Sequence, residues 1–152
     1  MQYYAYIRRE GRHVLAEFPD CPGCQTFGTA DDIGDVAREA LEGWLEAHLV
    51  GGQIPPKPQE HVGAPQGAKL APIPVRAGLA VSLTLRWARS ELGLTQTELG
   101  KRAGVTQQQI AKLEDPDENP SILTVEKVAK ALGLALNVSL TEVLPVQVPK
   151  RR

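Results

Sequence analysis

The residues whose types and spacing suit chemistry lie between Leu94 and Glu114, and the chemistry is recognition. Gln107, Gln108 and Gln109 follow Thr106, and Lys112 comes one turn later. A glutamine amide donates and accepts together, which matches the major-groove edge of adenine. Gln96 and Gln107 stand at the starts of two short helices, where free N–H groups and positive dipole ends suit phosphates. Leu99 and Ala103 face inward, Gly104 makes the turn, and Val105, Ile110 and Leu113 hold the next helix down. That is a helix-turn-helix pattern. It leaves Gln107, Gln108, Gln109 and Lys112 at the start of the second helix, where side chains reach base edges. A run of glutamines is otherwise a solvated helix face; the surrounding pattern favours DNA. Gln96 and Thr106 are expected on the phosphate backbone.

Three other constellations compete. Asp115, Asp117, Asn119 and Glu126 have the spacing of a calcium loop. Pro120 stands where that loop needs a glycine with positive φ, so calcium is not expected. Cys21-Pro-Gly-Cys24 is a C-x-x-C, but zinc needs four ligands and His13, His48 and His61 follow no pattern. A redox pair would open a helix, whereas a short strand follows here. Two small semi-buried thiols in a turn are expected, with no metal and no cofactor. His48 falls on an apolar helix face and reads as a core or interface histidine. A metal-dependent nuclease needs converging carboxylates. Glu10, Asp20, Asp31 and Asp32 sit in turns or a cap and Glu17 points away from Val14, Ala16 and Phe18, so no enzyme activity is expected.

The elements that position these residues change character midway. Residues 3–18 alternate as a hairpin around Arg9–Arg12, and a third strand spans about 24–28. Ile33, Ala37, Leu41, Leu45 and Leu49 recur at helical spacing, with Thr29 and Asp32 as a capping-box-like start. Residues 51–68, with four Gly and four Pro, read as a linker. Residues 69–76 read as an edge strand, since Pro72 and Pro74 lose their donors on one side only. Helices then follow up to Leu132, the last beginning at Thr124. The alternating Leu134–Leu140 reads as a terminal strand. The expected class is α+β: a small antiparallel sheet with one packed helix over 1–76, an all-α helix-turn-helix domain with that strand over 77–143, and a loose tail over 144–152.

The chain has 152 residues and a net charge of -1. That charge is divided. Residues 1–76 hold 7 Lys+Arg and 10 Asp+Glu, while residues 77–152 hold 10 and 8. An acidic interaction module joined to a basic one is implied. The apolar stretch 77–85 is too short to span a membrane, and the start lacks a signal-peptide pattern. A cytoplasmic protein with reduced cysteines is expected.

Two resemblances sharpen this reading. Residues 79–136 resemble the phage-repressor, or Xre/Cro, helix-turn-helix family, most clearly in Leu94-Thr-Gln-Thr-Glu-Leu, Ala103-Gly-Val-Thr-Gln-Gln-Gln-Ile and Leu113-Glu. The loop Asp115-Pro-Asp-Glu-Asn-Pro departs from that family's short Asn-Gly loop. Residues 1–76 resemble the HicB antitoxin family through Phe18-Pro-Asp-Cys-Pro-Gly-Cys, the helix with Ala37-Arg-Glu-Ala-Leu-Glu, and Gly51-Gly-Gln-Ile-Pro-Pro-Lys-Pro. The family's domain is likened to a trimmed RNase H fold. The resemblance marks Phe18, Pro19, Asp20, Pro22, Gly23 and Cys24 as signature positions of a toxin-binding domain. It implies an antitoxin that neutralises a small, HicA-like, mRNA-cleaving toxin and represses its own operon through operator DNA. A dimer or tetramer of the chain is expected. The rival reading is a repressor whose first domain senses a small ligand.

Overall fold

The computed structural model describes residues 1–152 and divides them into two units. One is Met1–Val75 with Glu142–Arg152; the other is Arg76–Thr141.

In the first unit, β1 (Gln2–Glu10), β2 (His13–Glu17), β3 (Gln25–Gly28) and β4 (Ala68–Pro74) form an antiparallel sheet ordered β3-β2-β1-β4. Side-chain alternation puts Tyr3, Ala5, Ile7, Val14, Ala16, Ala71 and Ile73 on one buried face. Helix α1 (Ile33–Val50) buries Ile33, Ala37, Leu41, Leu45 and Leu49, the stripe that a lone helix could not hide. Thr29 and Asp32 exchange bonds just ahead of it, Thr29 N–H to Asp32 Oδ1 at 2.6 Å and Asp32 N–H to Thr29 Oγ1 at 3.3 Å. Strand β4 lies at the sheet edge, and the two prolines, two residues apart, share its free side.

Two segments expected to be loose are fastened. The Gly/Pro-rich 51–68 is held by side chains that composition does not weigh. Tyr3 donates to the Pro56 carbonyl at 2.7 Å. Asp20 accepts the Gln59 N–H at 2.9 Å and pairs with His61 Nε2 at 2.9 Å. The His61 ring then stands edge-on to Tyr4 and Tyr6 on the outer face of the sheet. The loose tail expected over 144–152 also belongs to this unit, which takes in Glu142–Arg152. Val146 packs on α1: a Cβ on Gly34 would lie 3.1 Å from its Cγ2. Arg9 Nε donates to the Pro149 carbonyl at 2.7 Å, and Lys69 Nζ to Gln147 at 3.5 Å.

The second unit is helical: α2 (Ala77–Glu91), α3 (Gln96–Ala103), α4 (Gln107–Leu113) and α5 (Ile122–Ala131). Its core joins Leu85, Leu99, Ala103, Ile110, Leu113, Val125, Val128 and Leu132. Helix α5 starts earlier than expected, because Ser121 and not Thr124 caps it; the Ser121 hydroxyl accepts the Thr124 N–H at 3.2 Å. The terminal strand over 134–141 is absent. A strand exists only against another edge, and the single chain offers none there. Leu136 leans on the core, while Val138 and Leu140 are 70% and 98% exposed.

Cys21 and Cys24 are buried free thiols in the turn after β2. Burial pushes Cys24 up to about 11 and Cys21 up to about 12, Cys24 and Asp20 adding to the latter. A raised thiol favours the fold below its unfolded value and loses that contribution as pH rises through the folded value. The native chain should therefore resist iodoacetamide at pH 8 and react once unfolded. Its stability should fall above about pH 9, with the buried Tyr3 phenol adding to the loss at higher pH. A Cys21→Ala/Cys24→Ala variant should show a smaller fall between pH 9 and 10; an identical pH profile would remove the thiols as its cause.

Candidate nucleic-acid interface

Helices α3 and α4 begin in the same way. Thr95 Oγ1 accepts the Glu98 N–H at 3.1 Å, and Glu98 Oε2 accepts the Thr95 N–H at 2.8 Å. Thr106 and Gln109 repeat the exchange at 3.1 and 2.8 Å. Two capping boxes thus define where each short helix starts. Gly104 ends α3 in the left-handed conformation at φ +69. The two helices also need Gly100, which the sequence reading did not single out. A Cβ there would sit 2.8 Å from the Val105 carbonyl oxygen. A glycine inside an eight-residue helix, with its cost in helix propensity, was the available signal.

Behind the two helices lies a buried charge. Glu114 is 1% exposed. Arg89 holds it with both arms, Nε on Oε1 at 2.5 Å and Nη2 on Oε2 at 2.9 Å. The third Arg89 nitrogen donates to the Leu94 carbonyl at 2.8 Å, tying the α2–α3 loop. The hydrogen bond to Glu114 raises the Arg89 pKa further, so the cation is permanent. Arg86 and Ser82 donate to the Glu114 carbonyl.

The network continues to the surface. Gln96 Nε2 donates to Glu114 Oε2 at 3.0 Å, and Gln107 Nε2 donates to Gln96 Oε1 at 2.7 Å. A carboxylate only accepts, so Glu114 fixes which end of the Gln96 amide faces it. That leaves the Gln96 oxygen for Gln107. Gln107 keeps one N–H and its own oxygen, the pair that an adenine edge requires.

The predicted contact residues therefore fall into three conditions. Gln96 and Gln107 are half-buried and linked to each other. Gln109, expected to face bases, has its carboxamide oxygen committed to the α4 cap. Gln108 and Lys112 are exposed, with no hydrogen bond or ion pair. Thr106 spends its oxygen on the Gln109 N–H and keeps its hydroxyl proton. The loop after α4 is bound inward: Arg76 donates to the Pro116 carbonyl at 2.7 Å and pairs with Asp117 at 3.3 Å. Asp115 Oδ1 accepts the Asp117 N–H at 3.0 Å.

The signature residues of the first unit build a turn. The Phe18 N–H bonds the Cys24 carbonyl at 3.1 Å, the Cys21 N–H bonds the Phe18 carbonyl at 3.1 Å, and Gly23 takes φ +81. Phe18 and Cys24 are buried, Pro19 and Asp20 partly so, and only Pro22 and Gly23 are exposed. His48 bonds its own helix, Nδ1–H to the Trp44 carbonyl at 2.8 Å. A different feature marks the surface of this unit. Asp31, Asp35, Glu39, Glu42 and Glu46 run along one side of α1 and the turn before it, with Arg38 as the interspersed cation.

A helix-turn-helix family model matches residues 85–143. The chain is 31% identical over 131 residues to Antitoxin HicB 1 of Photorhabdus laumondii, covering 86% of this chain and 80% of that protein. It is 49% identical over 49 residues to an uncharacterised HTH-type transcriptional regulator of Methanothermobacter thermautotrophicus, covering 32% of this chain and 71% of that one. A solved HicA3 and HicB3 toxin-antitoxin complex has a chain with 27% identity and a TM-score of 0.45, covering 50% of this chain and 99% of that one.

Glu114→Ala would strand Arg89 in the interior and should cost about 3–5 kcal/mol, read as a drop in melting temperature together with loss of DNA binding. Gln108→Ala should leave melting unchanged and cost about 1–3 kcal/mol at particular base pairs. Equal weakening on every duplex sequence would count against base readout by Gln108.

Proposed function

Because the chain belongs to the HicB antitoxin family, we propose that its first unit binds and neutralises a small HicA-like toxin that cleaves mRNA, while its second unit represses the operon encoding both. The observation that carries this is the relative matched over 86% of the chain, a span that must include most of both units. The chain is an antitoxin and a DNA-binding regulator; the toxin, the operator and the assembly are the proposal.

The acidic side of α1 supports the toxin partner. A protein that handles RNA carries cations, and an acidic face steers it and sets its register. The protein acts by binding. Its carboxylates are committed separately: Asp20 to His61 and Gln59, Glu10 to Arg8, Glu114 to Arg89. No helix is long and apolar enough to cross a membrane, and the cytoplasm is where operator and messenger both lie.

Operator binding calls for a second copy. One helix-turn-helix covers only about 600–1,000 Å² of protein surface on DNA, so two are expected on half-sites about 34 Å apart. Residues 134–141 supply a means. Leu134, Leu136, Val138 and Leu140 alternate with smaller or polar residues, and the segment is exposed and unpaired. A second copy of the same segment would complete a two-stranded ribbon. A Val138→Asp/Leu140→Asp variant should run as a monomer in light scattering and bind the operator at least tenfold more weakly.

The decisive experiment is co-expression with the adjacent small open reading frame, the tag on this chain only. A stable complex, with growth arrest when the neighbour is expressed alone, establishes the antitoxin pair. A Glu39→Lys/Glu42→Lys/Glu46→Lys variant should then slow association about tenfold at low salt. No bound neighbour and no toxicity would leave a regulator whose first unit takes another ligand.

A further inference from the structure

One end of the first unit's sheet is strongly basic, and its residues are distinct from the acidic side of α1 and from the glutamines of α4. The β1–β2 hairpin turns there at Gly11, φ +62, and the chain re-enters the sheet through Gly67, φ +83. The 142–152 segment arrives beside them. Together they shape an open depression of about 530 Å³ lined by Arg8, Arg9, Lys150, Arg151 and Arg152 and by turn residues. Five cationic side chains line it and no acidic side chain does.

The cations are delivered there by specific contacts. Arg9 Nε holds the Pro149 carbonyl at 2.7 Å, immediately before Lys150. Val146 against Gly34 and Gln147 against Lys69 seat the preceding residues. Only Arg8 has acidic partners, Glu10 at 3.0 Å and Glu17 at 3.7 Å, with all three side chains nearly half exposed. Exposed pairs of this kind are weak and exchange readily. Gathering five like charges opposes folding through their mutual repulsion. A regularly spaced polyanion would reverse the sign of that effect.

We infer that this depression is a second nucleic-acid contact, taking the phosphate backbone of duplex DNA already held by the helix-turn-helix. Duplex DNA is favoured by the covalent arrangement. The second unit leaves the first at Val75–Arg76 and rejoins it at Thr141–Glu142. A duplex bound by the second unit is thereby tethered to the first, although the connection leaves the sheet at the end away from Arg8. The contact is to phosphates, so it strengthens binding without altering sequence preference. This inference rests on DNA binding by the second unit and not on the toxin.

The test uses the full chain and a labelled mixed-sequence 40-bp duplex, with affinity followed by fluorescence anisotropy from 50 to 200 mM salt. Each neutralised phosphate contributes about 0.9 to the slope of log affinity against log salt. A Lys150→Gln/Arg151→Gln/Arg152→Gln variant, which alters only exposed side chains, should bind about tenfold more weakly at 50 mM salt. Its slope should be shallower by about 2–3, with melting unchanged. Arg9→Gln should act in the same direction by unseating Pro149. An unchanged slope and affinity in the triple variant, with the parent chain still binding duplex, overturns the inference alone. A loss confined to a 40-nucleotide single-stranded RNA overturns it in favour of an RNA contact. A parent chain that binds no duplex overturns the helix-turn-helix reading, and this inference with it.

Discussion

Glu114 is the residue on which the second unit depends. A carboxylate with 1% exposure is tolerable only if nearly every lone pair is answered. Here the answers come from two elements: Arg89 of α2 and Gln96 of α3 bond the carboxylate, while the side chains of Ser82 and Arg86, also on α2, donate to the Glu114 backbone carbonyl. The pair is weak as a source of net stability, since its desolvation offsets most of the attraction. Its effect is specificity of arrangement. A mispacked α4 would part Glu114 from Arg89, and a mispacked α3 would take Gln96 from it, so the crossing of α3 and α4 is fixed to within a hydrogen bond. Gly100 sets how closely the helices approach, and Glu114 sets their register. The surface glutamines inherit that precision through Gln96.

The first unit uses its polar residues differently. Asp20 sits in the turn after β2 and reaches the 51–68 segment, which holds no helix or strand of its own before Ala68. Asp20 and Tyr3, with the two tyrosines edge-on to His61, fasten the middle of that glycine- and proline-rich stretch to the sheet. The buried signature residues, Phe18 and Cys24, thus shape the turn that carries Asp20, while Pro22 and Gly23 stay exposed at its tip.

Much of this was legible from residue order. The strands alternate and the helices repeat because burial imposes periods of two and 3.6, so β1, β2, α1, α3 and α4 were placed nearly to their ends. Gln107 and Gln108 were legible as surface groups because the apolar anchors left them no other role. What failed to show was tertiary. Gln109 could not be told from its neighbours without knowing that Thr106 needed a capping partner, although the pairing at a spacing of three is a sequence signal in itself. Ser121 and Thr124 both suit an N-cap, and only backbone geometry chose between them. The 134–141 segment forms no strand in the single chain for a physical reason: alternation records a preference for an edge and not the presence of one. Pro145 and Pro149 interrupt any regular period in the 142–152 segment, so its docking could not be foreseen; the deciding contacts are one carbonyl taken by Arg9 and one glycine that leaves space for Val146.

The charge layout has a consequence for a chain that must serve two partners. An acidic helix face and a basic sheet end on one small domain would attract each other in a second copy of the chain. Screening limits that risk, because separated charges on an exposed surface interact weakly beyond about 8–10 Å at physiological salt. Polyvalent partners escape the limit. A duplex presents phosphates in register and releases counterions on contact, a gain that single surface carboxylates cannot match. The net charge of -1 is thus a poor guide to this molecule. Nearly cancelling totals conceal two fields of opposite sign, each placed by a different structural device: α1 by its apolar stripe, which commits its carboxylates outward, and the cations at 150–152 by the Arg9 bond to Pro149 that holds their segment beside the hairpin.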